Sequence, residues 1–221
     1  MANVLGNPTM GFQSFGRQEG ASPTDGLTPV WIASTDASLI FRGDPVVTSS
    51  AGGTNNSGAY ITGFSSGNSF IRGVFQGLYQ YSPTAGRVVW SNNYAGSVTG
   101  STGDVKCYII DDPDTLFLIQ GSTTVAITSS YIGLNAGFTA NSSTGNTLTG
   151  YSNVALQSTT VGSTNTYPWR IVDFYSAYAA PAVPAIGTNA FINGTDNTNP
   201  ANMVIVRLNN CDRTSLTARS S

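Results

Sequence analysis

The sequence predicts an all-β protein, a β-barrel or jelly-roll-like sandwich with an extended N-terminal arm. Charged residues make up only 9% of the 221 residues, whereas ordinary soluble domains carry roughly 25%. Lys106 is the sole lysine and Glu19 the sole glutamate, so the residues that normally build exposed helix faces are missing. Short apolar runs separated by turn residues recur along the chain, which is typical of sandwiches and barrels.

Residues 1–29 are predicted to form the extended arm, and residues 30–221 the β domain. Glycines and prolines recur every few residues from Gly6 to Pro29, a density that predicts neither a helix nor a paired strand. The apolar side chains between them indicate that the arm becomes ordered by lying on another surface. The alternative is a disordered terminus. The candidate contact residues of the arm are Met10, Phe12, Phe15 and Arg17.

Strands are predicted in order along the first half of the domain. They cover residues 30–33, 38–42, 45–48, 60–64, 70–81, 87–91, 105–110 and 115–120. Gly73 and Gly77 interrupt the longest of these runs and predict bulges or tight bends. The last two runs flank residues 111–114, which are all turn formers, and this pattern predicts a hairpin.

The second half continues with predicted strands at residues 125–128, 148–156, 169–175 and 203–208. The last is almost continuously apolar, which predicts a strand buried on both faces. The polar segments 139–147 and 194–200 are expected to be surface loops. Residues 178–186 predict a second extended excursion, and the chain permits a division into two β subdomains near Asp111.

Composition also bears on partners and compartment. The net charge is −2 and the sequence pI is about 4.8, and the arginines are scattered, so no nucleic acid is expected as a partner. No apolar stretch has membrane-spanning length, and the first residues lack a secretory signal, so we expect no membrane partner and a cytoplasmic origin. In that compartment Cys107 and Cys211 are expected to be unpaired thiols.

The chain contains no histidine, which removes the commonest general base and the commonest zinc ligand. Lys106 lies in an alternating strand, where a solvent-facing lysine is ordinary. We therefore expect no enzyme activity, no cofactor and no metal.

Acidic residues concentrate at Asp111, Asp112 and Asp114. Paired carboxylates can perform glycosidic acid/base chemistry or hold a hard cation. This group lacks the glycine and distal glutamate of an EF-hand loop, and Asp before Pro initiates turns, so a structural turn is the favoured interpretation. The same ambiguity applies to Asp196, Asn197 and Asn199.

Several segments carry a combined resemblance through their order and spacing. They are Trp31-Ile32, Leu39-Ile40-Phe41-Arg42-Gly43-Asp44-Pro45-Val46, Asp111-Asp112-Pro113-Asp114-Thr115-Leu116-Phe117-Leu118-Ile119-Gln120, Gly133-Leu134-Asn135-Ala136, Gly145-Asn146, Pro168-Trp169-Arg170-Ile171 and Val204-Ile205-Val206-Arg207-Leu208-Asn209-Asn210. From Gly11 onwards, most of the chain resembles the capsid cement, or decoration, proteins of tailed bacteriophages. Cys211 departs from the pattern, which has a histidine there, and so does Leu118, where an acidic residue is usual.

The resemblance implies a β-barrel or jelly-roll-like body, often a homotrimer, seated between capsomers on the outside of the shell. It carries no catalytic residue over to this chain. The expected partner is the major capsid protein and the expected location is the virion exterior. Two alternatives remain open: a head-fibre or tail protein that binds host glycans through polar loops, and a carbohydrate-active enzyme that uses Asp112 and Asp114.

Overall fold

The computed structural model describes residues 10–18, 26–50, 58–64, 70–82, 84–96, 103–139, 145–175 and 200–214. These residues form strands, two short 3-10 turns and connecting loops, and no α-helix lies among them. The predicted all-β sandwich class is therefore confirmed.

Fifteen strands follow one another along the described chain. In order they are β1 (Gln13–Arg17), β2 (Thr28–Ile32), β3 (Ile40–Phe41), β4 (Pro45–Thr48), β5 (Ile61–Gly63), β6 (Gly73–Ser82), β7 (Arg87–Ser91), β8 (Asn93–Tyr94), β9 (Val105–Ile110), β10 (Thr115–Gln120), β11 (Asn135–Ala136), β12 (Gly145–Asn146), β13 (Tyr151–Ser152), β14 (Trp169–Phe174) and β15 (Met203–Leu208).

Two antiparallel sheets organise these strands. The C-terminal sheet has the order β1-β10-β15-β14-β11, and the N-terminal sheet has the order β2-β9-β6-β4-β5, with β7 paired to the far half of β6. Two ribbons, β3-β8 and β12-β13, complete the fold. The predicted strand at 203–208 lies in the middle of its sheet, and most of its side chains are buried.

Each sheet covers its own hydrophobic core. The C-terminal core centres on Trp169, Phe117 and Val206, and the N-terminal core on Phe75, Leu78 and Ile109. Val74 precedes Phe75 on β6 but belongs to the other core, because successive side chains of a strand point to opposite faces. At this end, the N-terminal sheet is therefore buried on both faces.

The predicted hairpin at residues 111–114 is wrong, although both of its strands are correct. β9 pairs with β2 and β6 in the N-terminal sheet, whereas β10 pairs with β1 and β15 in the C-terminal sheet. The turn chemistry is present, since the Asp114 amide donates to Oδ1 of Asp112 at 3.1 Å and the Thr115 amide to the Asp112 carbonyl at 3.1 Å. This turn passes the chain from one sheet to the other.

Asp111 fixes the crossover from inside the protein. Its buried carboxylate lies 3.0 Å from Nη2 of Arg72 and 3.3 Å from Nε of Arg213. The Thr28 hydroxyl donates to its other oxygen at 2.7 Å. A buried carboxylate is stable only when paired and hydrogen-bonded, and these partners come from three distant parts of the chain.

The expectation that residues 1–29 contain no paired strand is wrong for β1. Gln13–Arg17 pairs with β10 at the edge of the C-terminal sheet. Phe12 anchors this strand, because its fully buried ring stacks on Trp169 with 3.9 Å between centroids and 13° between planes. Thr28 and Pro29 also belong to a strand, β2. Residues 1–9 and 19–25 of the predicted arm lie outside the described residues.

Other expectations had mixed outcomes. Gly77 sits at a register shift in β6 with a φ of 142°, so the predicted bulge is confirmed there. Residues 125–128 form no strand, and of residues 148–156 only Tyr151–Ser152 does. Residues 178–186 lie outside the described residues, as do most of the two predicted polar loops.

The predicted division into two β subdomains concerns Asp111, where the chain changes from one sheet to the other. Phe64 and Ile71 come before this residue in the chain but belong to the C-terminal core. The division into subdomains therefore stays a prediction.

Phe12→Ala should lower the free energy of unfolding by roughly 3–5 kcal/mol, because it deletes a buried ring from a packed core. Chemical denaturation of the purified variant measures this. Phe15→Ala is the matched control three residues away, where the ring is 42% exposed, and a change within about 1 kcal/mol is expected there. Equal losses in both variants would contradict the anchoring role of Phe12.

Candidate functional site

The outer surface of the N-terminal sheet carries a cluster of aromatic side chains. Tyr79 of β6 contacts Trp90 of β7 at 5.1 Å between ring centroids and Tyr108 of β9 at 6.0 Å. Trp90 and Tyr108 are 5.9 Å apart. Tyr79 is 51% exposed and Trp90 42% exposed. These three rings, with the exposed Tyr81 and Val88 beside them, are called the aromatic face below.

Strand register brings these residues together. Tyr79 pairs with Trp90 and Tyr81 pairs with Val88 across β6 and β7. Successive residues of a strand point to opposite faces of the sheet. Leu78, which precedes Tyr79, therefore points inward and is fully buried in the N-terminal core. Residues 73–78 of β6 are buried, whereas the remaining four residues of the strand are exposed or partly exposed. The face of the sheet that contacts the C-terminal core at Val74 is the same face that carries Tyr79 and Tyr81 at the exposed end of β6.

Gly77 makes room for the indole of Trp90. A β-carbon at this glycine would lie 2.3 Å from Cζ2 of Trp90, so only a residue without a side chain allows the ring to lie against the β6 backbone. The indole Nε1 donates to Oδ1 of Asn92 at 3.1 Å. The β6 backbone at Gly77 therefore supports the indole, and Asn92 holds its polar edge. The conformation of the ring does not depend on a ligand.

The hairpin formed by β12 and β13 is hydrogen-bonded to the residue that follows β7. Asn92, which accepts from Trp90, also donates through Nδ2 to the Thr149 carbonyl at 3.3 Å in the turn between β12 and β13. Oδ1 of Asn146 accepts from the amides of Leu148 and Thr149. Leu148 stands at this turn with 94% of its surface exposed. The turn that carries this exposed apolar side chain is thus hydrogen-bonded to Asn92, the residue that fixes Trp90.

The charged group that contacts the aromatic face is Lys106. Its ammonium lies 5.9 Å from the centroid of the Tyr108 ring, within the range of a cation–π contact. The side chain is exposed on β9, which confirms the solvent-facing position that the alternation predicts. Among the described ion pairs, none involves Lys106.

The four predicted contact residues of the arm have different environments. Phe12 is buried in the C-terminal core, so we correct its assignment: its ring is unavailable to a partner. Phe15 is 42% exposed and packs edge-on against Tyr175 at 5.7 Å. Met10 is half-buried, and its carbonyl accepts a hydrogen bond from Gln13. Phe15 is thus the best exposed apolar member of the set.

Arg17, the fourth of these residues, is bound to the acidic turn. Its Nη2 donates to Oδ2 of Asp112 at 2.9 Å, and both side chains remain about a third exposed. Because Asp111 is buried between two arginines and Asp112 is paired, the acidic group acts as a connection between chain segments. Among the residues that the structure describes, no group of three or more potential ligands could hold a metal ion, and Asp196, Asn197 and Asn199 lie outside them.

A second buried acidic side chain, the carboxyl group of Asp44, lies where four segments meet. It accepts hydrogen bonds from the Ser152 hydroxyl and from the Phe41 amide, the latter at 2.8 Å. Its carbonyl accepts from the Phe75 amide at 2.9 Å, and the preceding carbonyl of Gly43 from the Phe12 amide at 2.9 Å. Burial raises the pKa of Asp44 to about 8, against the smaller opposing effect of the two hydrogen bonds. The group is enclosed, so it is structural.

The two cysteines are free and buried, as expected. Cys107 lies in the N-terminal core, where burial raises the pKa of its thiol, and a protonated thiol is a poor nucleophile. Cys211 lies in the C-terminal core. The two thiols therefore serve as core side chains.

Sequence reasoning missed the aromatic face. Its signal was present, since Tyr79 and Tyr81 alternate with Leu78 and Gln80 in one predicted strand, and Val88 and Trp90 alternate in the next. Neither run alone indicates a cluster. The pairing of β6 with β7 and β9 had to be known before the three rings could be placed side by side.

Comparison of the chain with family models, curated proteins and solved structures finds no match. The resemblance to phage cement proteins therefore stays a prediction. None of the helical turns among the described residues has the length and apolar character to cross a membrane.

Asp44→Asn should flatten the dependence of stability on pH. The folded pKa of about 8 lies above the ordinary value of 3.8, so the folded state binds a proton more tightly and loses stability as pH rises from about 4 to 8. Thermal unfolding across that interval measures the slope. Asp114→Asn, at an exposed turn position, is the control and should keep the wild-type dependence of stability on pH. An unchanged dependence in Asp44→Asn would contradict the raised pKa of Asp44.

Proposed function

We propose that this protein is a capsid cement protein of a tailed bacteriophage, which binds the outer shell between capsomers and stabilises it by adhesion. Binding energy suffices for this role, since separating two capsid subunits must then also break the contacts of the bridging protein. The major capsid protein is the partner. The sequence resemblance supports the proposal, and the all-β sandwich fold agrees with it. A jelly-roll-like body that assembles as a homotrimer is part of what we propose.

The exposed ring of Phe15 is the observation that carries the shell-binding part of the proposal. The register of β1 against β10 shifts between Ser14 and Gly16, which makes Phe15 the extra residue of a β-bulge. Bulges commonly re-aim a side chain, and this one is aimed into solvent while Phe12 holds the strand in the core. A rigidly mounted aromatic ring is a typical anchor of a protein interface.

Neighbouring groups extend this contact. Tyr175 packs against Phe15, and the partly exposed Arg17 lies two residues further along the same strand. Aromatic and arginine side chains are enriched among residues that dominate binding energy. A stable interface buries on the order of 1,600 Å² in total, so the residues preceding Met10 are expected to add to the footprint.

The enzyme alternative has less support. A pair of carboxylates for glycoside hydrolysis must be free to act as acid and base, whereas the Asp112 carboxylate is bound by Arg17 and by the Asp114 amide. The glycan-binding alternative has a specific observation in its favour, the aromatic face, and the next subsection takes up that surface.

The test is co-sedimentation of the purified protein with shells assembled from the major capsid protein of the same virus and lacking the cement protein. Wild type should bind saturably, and Phe15→Ala should bind at least about tenfold more weakly, as expected for loss of an anchor residue. Deleting residues 1–9 should also weaken binding. Deleting residues 1–29 would be uninformative because it removes Phe12 from the core.

Trp90→Ala is the matched control, since its side chain has the same 42% exposure as Phe15 but lies on the other sheet. It should bind shells as wild type does. Absence of wild-type binding to both unexpanded and expanded shells would refute the cement proposal. Undiminished binding by Phe15→Ala would refute the assigned contact alone.

A further inference from the structure

We infer that the aromatic face binds a neutral glycan, with pyranose rings stacked on Trp90 and on the neighbouring Tyr79 and Tyr108. This site goes beyond the proposed shell-binding function and lies on the other sheet. Its elements are three rings in mutual contact, a glycine that seats the central indole, and an amide that fixes it.

The geometry leaves one surface of Trp90 available for stacking. The indole lies against the backbone at Gly77, where no side chain separates them. Its only hydrogen-bond donor is already used by Asn92. Trp90 is 42% exposed as a residue, and the part of the ring that remains available to a ligand is its π surface.

The rings beside Trp90 enlarge this surface. Tyr79 stands edge-on to Trp90, at 76° between planes, and Tyr108 is tilted by only 36° from Trp90. Contacts between the rings restrict their motion, so little conformational entropy is lost when a ligand binds. Trp90 and Tyr108 lie 5.9 Å apart between centroids with their planes tilted by 36°, so consecutive sugar units of one chain can contact the two rings.

The chemistry of the surface selects the ligand class. An aromatic ring is electron-rich on its face, and the C–H bonds on the face of a pyranose are its electropositive, apolar surface. Sugars with equatorial hydroxyls present this C–H face undisturbed, while an axial hydroxyl interrupts it. A gluco-configured, β-linked glycan therefore fits best.

The surroundings of the face favour a neutral ligand over a charged one. The polar groups at the face are the hydroxyls of its tyrosines and the amide of Asn92, which follows β7. Gln80 of β6 and Ser91 of β7 alternate with the aromatic residues and therefore point to the opposite side of the sheet. Lys106 is the charged contact, and its ammonium already lies over Tyr108. Hydroxyl and amide groups match the rim of a sugar ring, which offers hydroxyl donors and acceptors around its edge.

The experiment titrates wild-type protein separately with cellohexaose and with chitohexaose, and follows tryptophan emission. Trp169 is fully buried and Trp31 is half-buried, so a saturable change in emission should come mainly from Trp90. Isothermal titration gives the association constant for each variant independently of fluorescence. We expect saturable binding of at least one of the two oligosaccharides.

Trp90→Ala and Tyr79→Ala should each weaken that binding by about tenfold or more, the size of one lost stacking contact. Trp90→Phe should retain part of it because an aromatic face remains. Phe15→Ala is the matched control with an equally exposed ring elsewhere and should bind the oligosaccharide as wild type does. Thermal unfolding of each variant establishes that it is folded.

Three results would overturn the inference. The first is no saturable response to either oligosaccharide. The second is unchanged binding by Trp90→Ala. The third is loss of shell binding by Trp90→Ala, which would make the face a protein interface. The inference and the cement proposal fail separately, because the former is measured with sugars on Trp90→Ala and the latter with shells on Phe15→Ala.

Discussion

The fold depends on how one buried carboxylate, that of Asp111, is neutralised. The chain leaves the N-terminal sheet at this residue and enters the C-terminal sheet four residues later. Arg72 from the N-terminal half, Arg213 from the far end of the described chain and the Thr28 hydroxyl converge on it. An unpaired charge in this position would be strongly destabilising, so the crossover is stable only when all three segments are in place.

Both candidate surfaces arise from irregularities in otherwise regular strands. The shift between Ser14 and Gly16 aims Phe15 outward, and the shift between Phe75 and Gly77 leaves the gap that Trp90 fills. A regular ladder would place side chains in strict alternation. The bulges therefore allow a protein with few charges to display rigid aromatic groups without disturbing the cores on the other side of the same strands.

Sequence reasoning identified most strands correctly because apolar alternation and turn residues are local signals. β4, β7, β9, β10 and β15 have the bounds expected of them. It could not identify partners: the runs on either side of residues 111–114 read as a hairpin, because nothing local reveals that Asp111 is buried by distant arginines. Phe12 was misassigned for a similar reason, since its stacking partner Trp169 lies far along the chain. Likewise, the aromatic face exists only once β6, β7 and β9 are in register.

The position of β15 in its sheet has a consequence for biosynthesis. It is the last strand of the described chain, yet it lies between β10 and β14 at the centre of the C-terminal sheet. During translation, β1 and β10 leave the ribosome long before the strand that joins them to β14, so this sheet cannot close until synthesis has passed residue 208. Prematurely terminated products would expose unpaired strand edges, which favour aggregation, and would be directed to proteolysis.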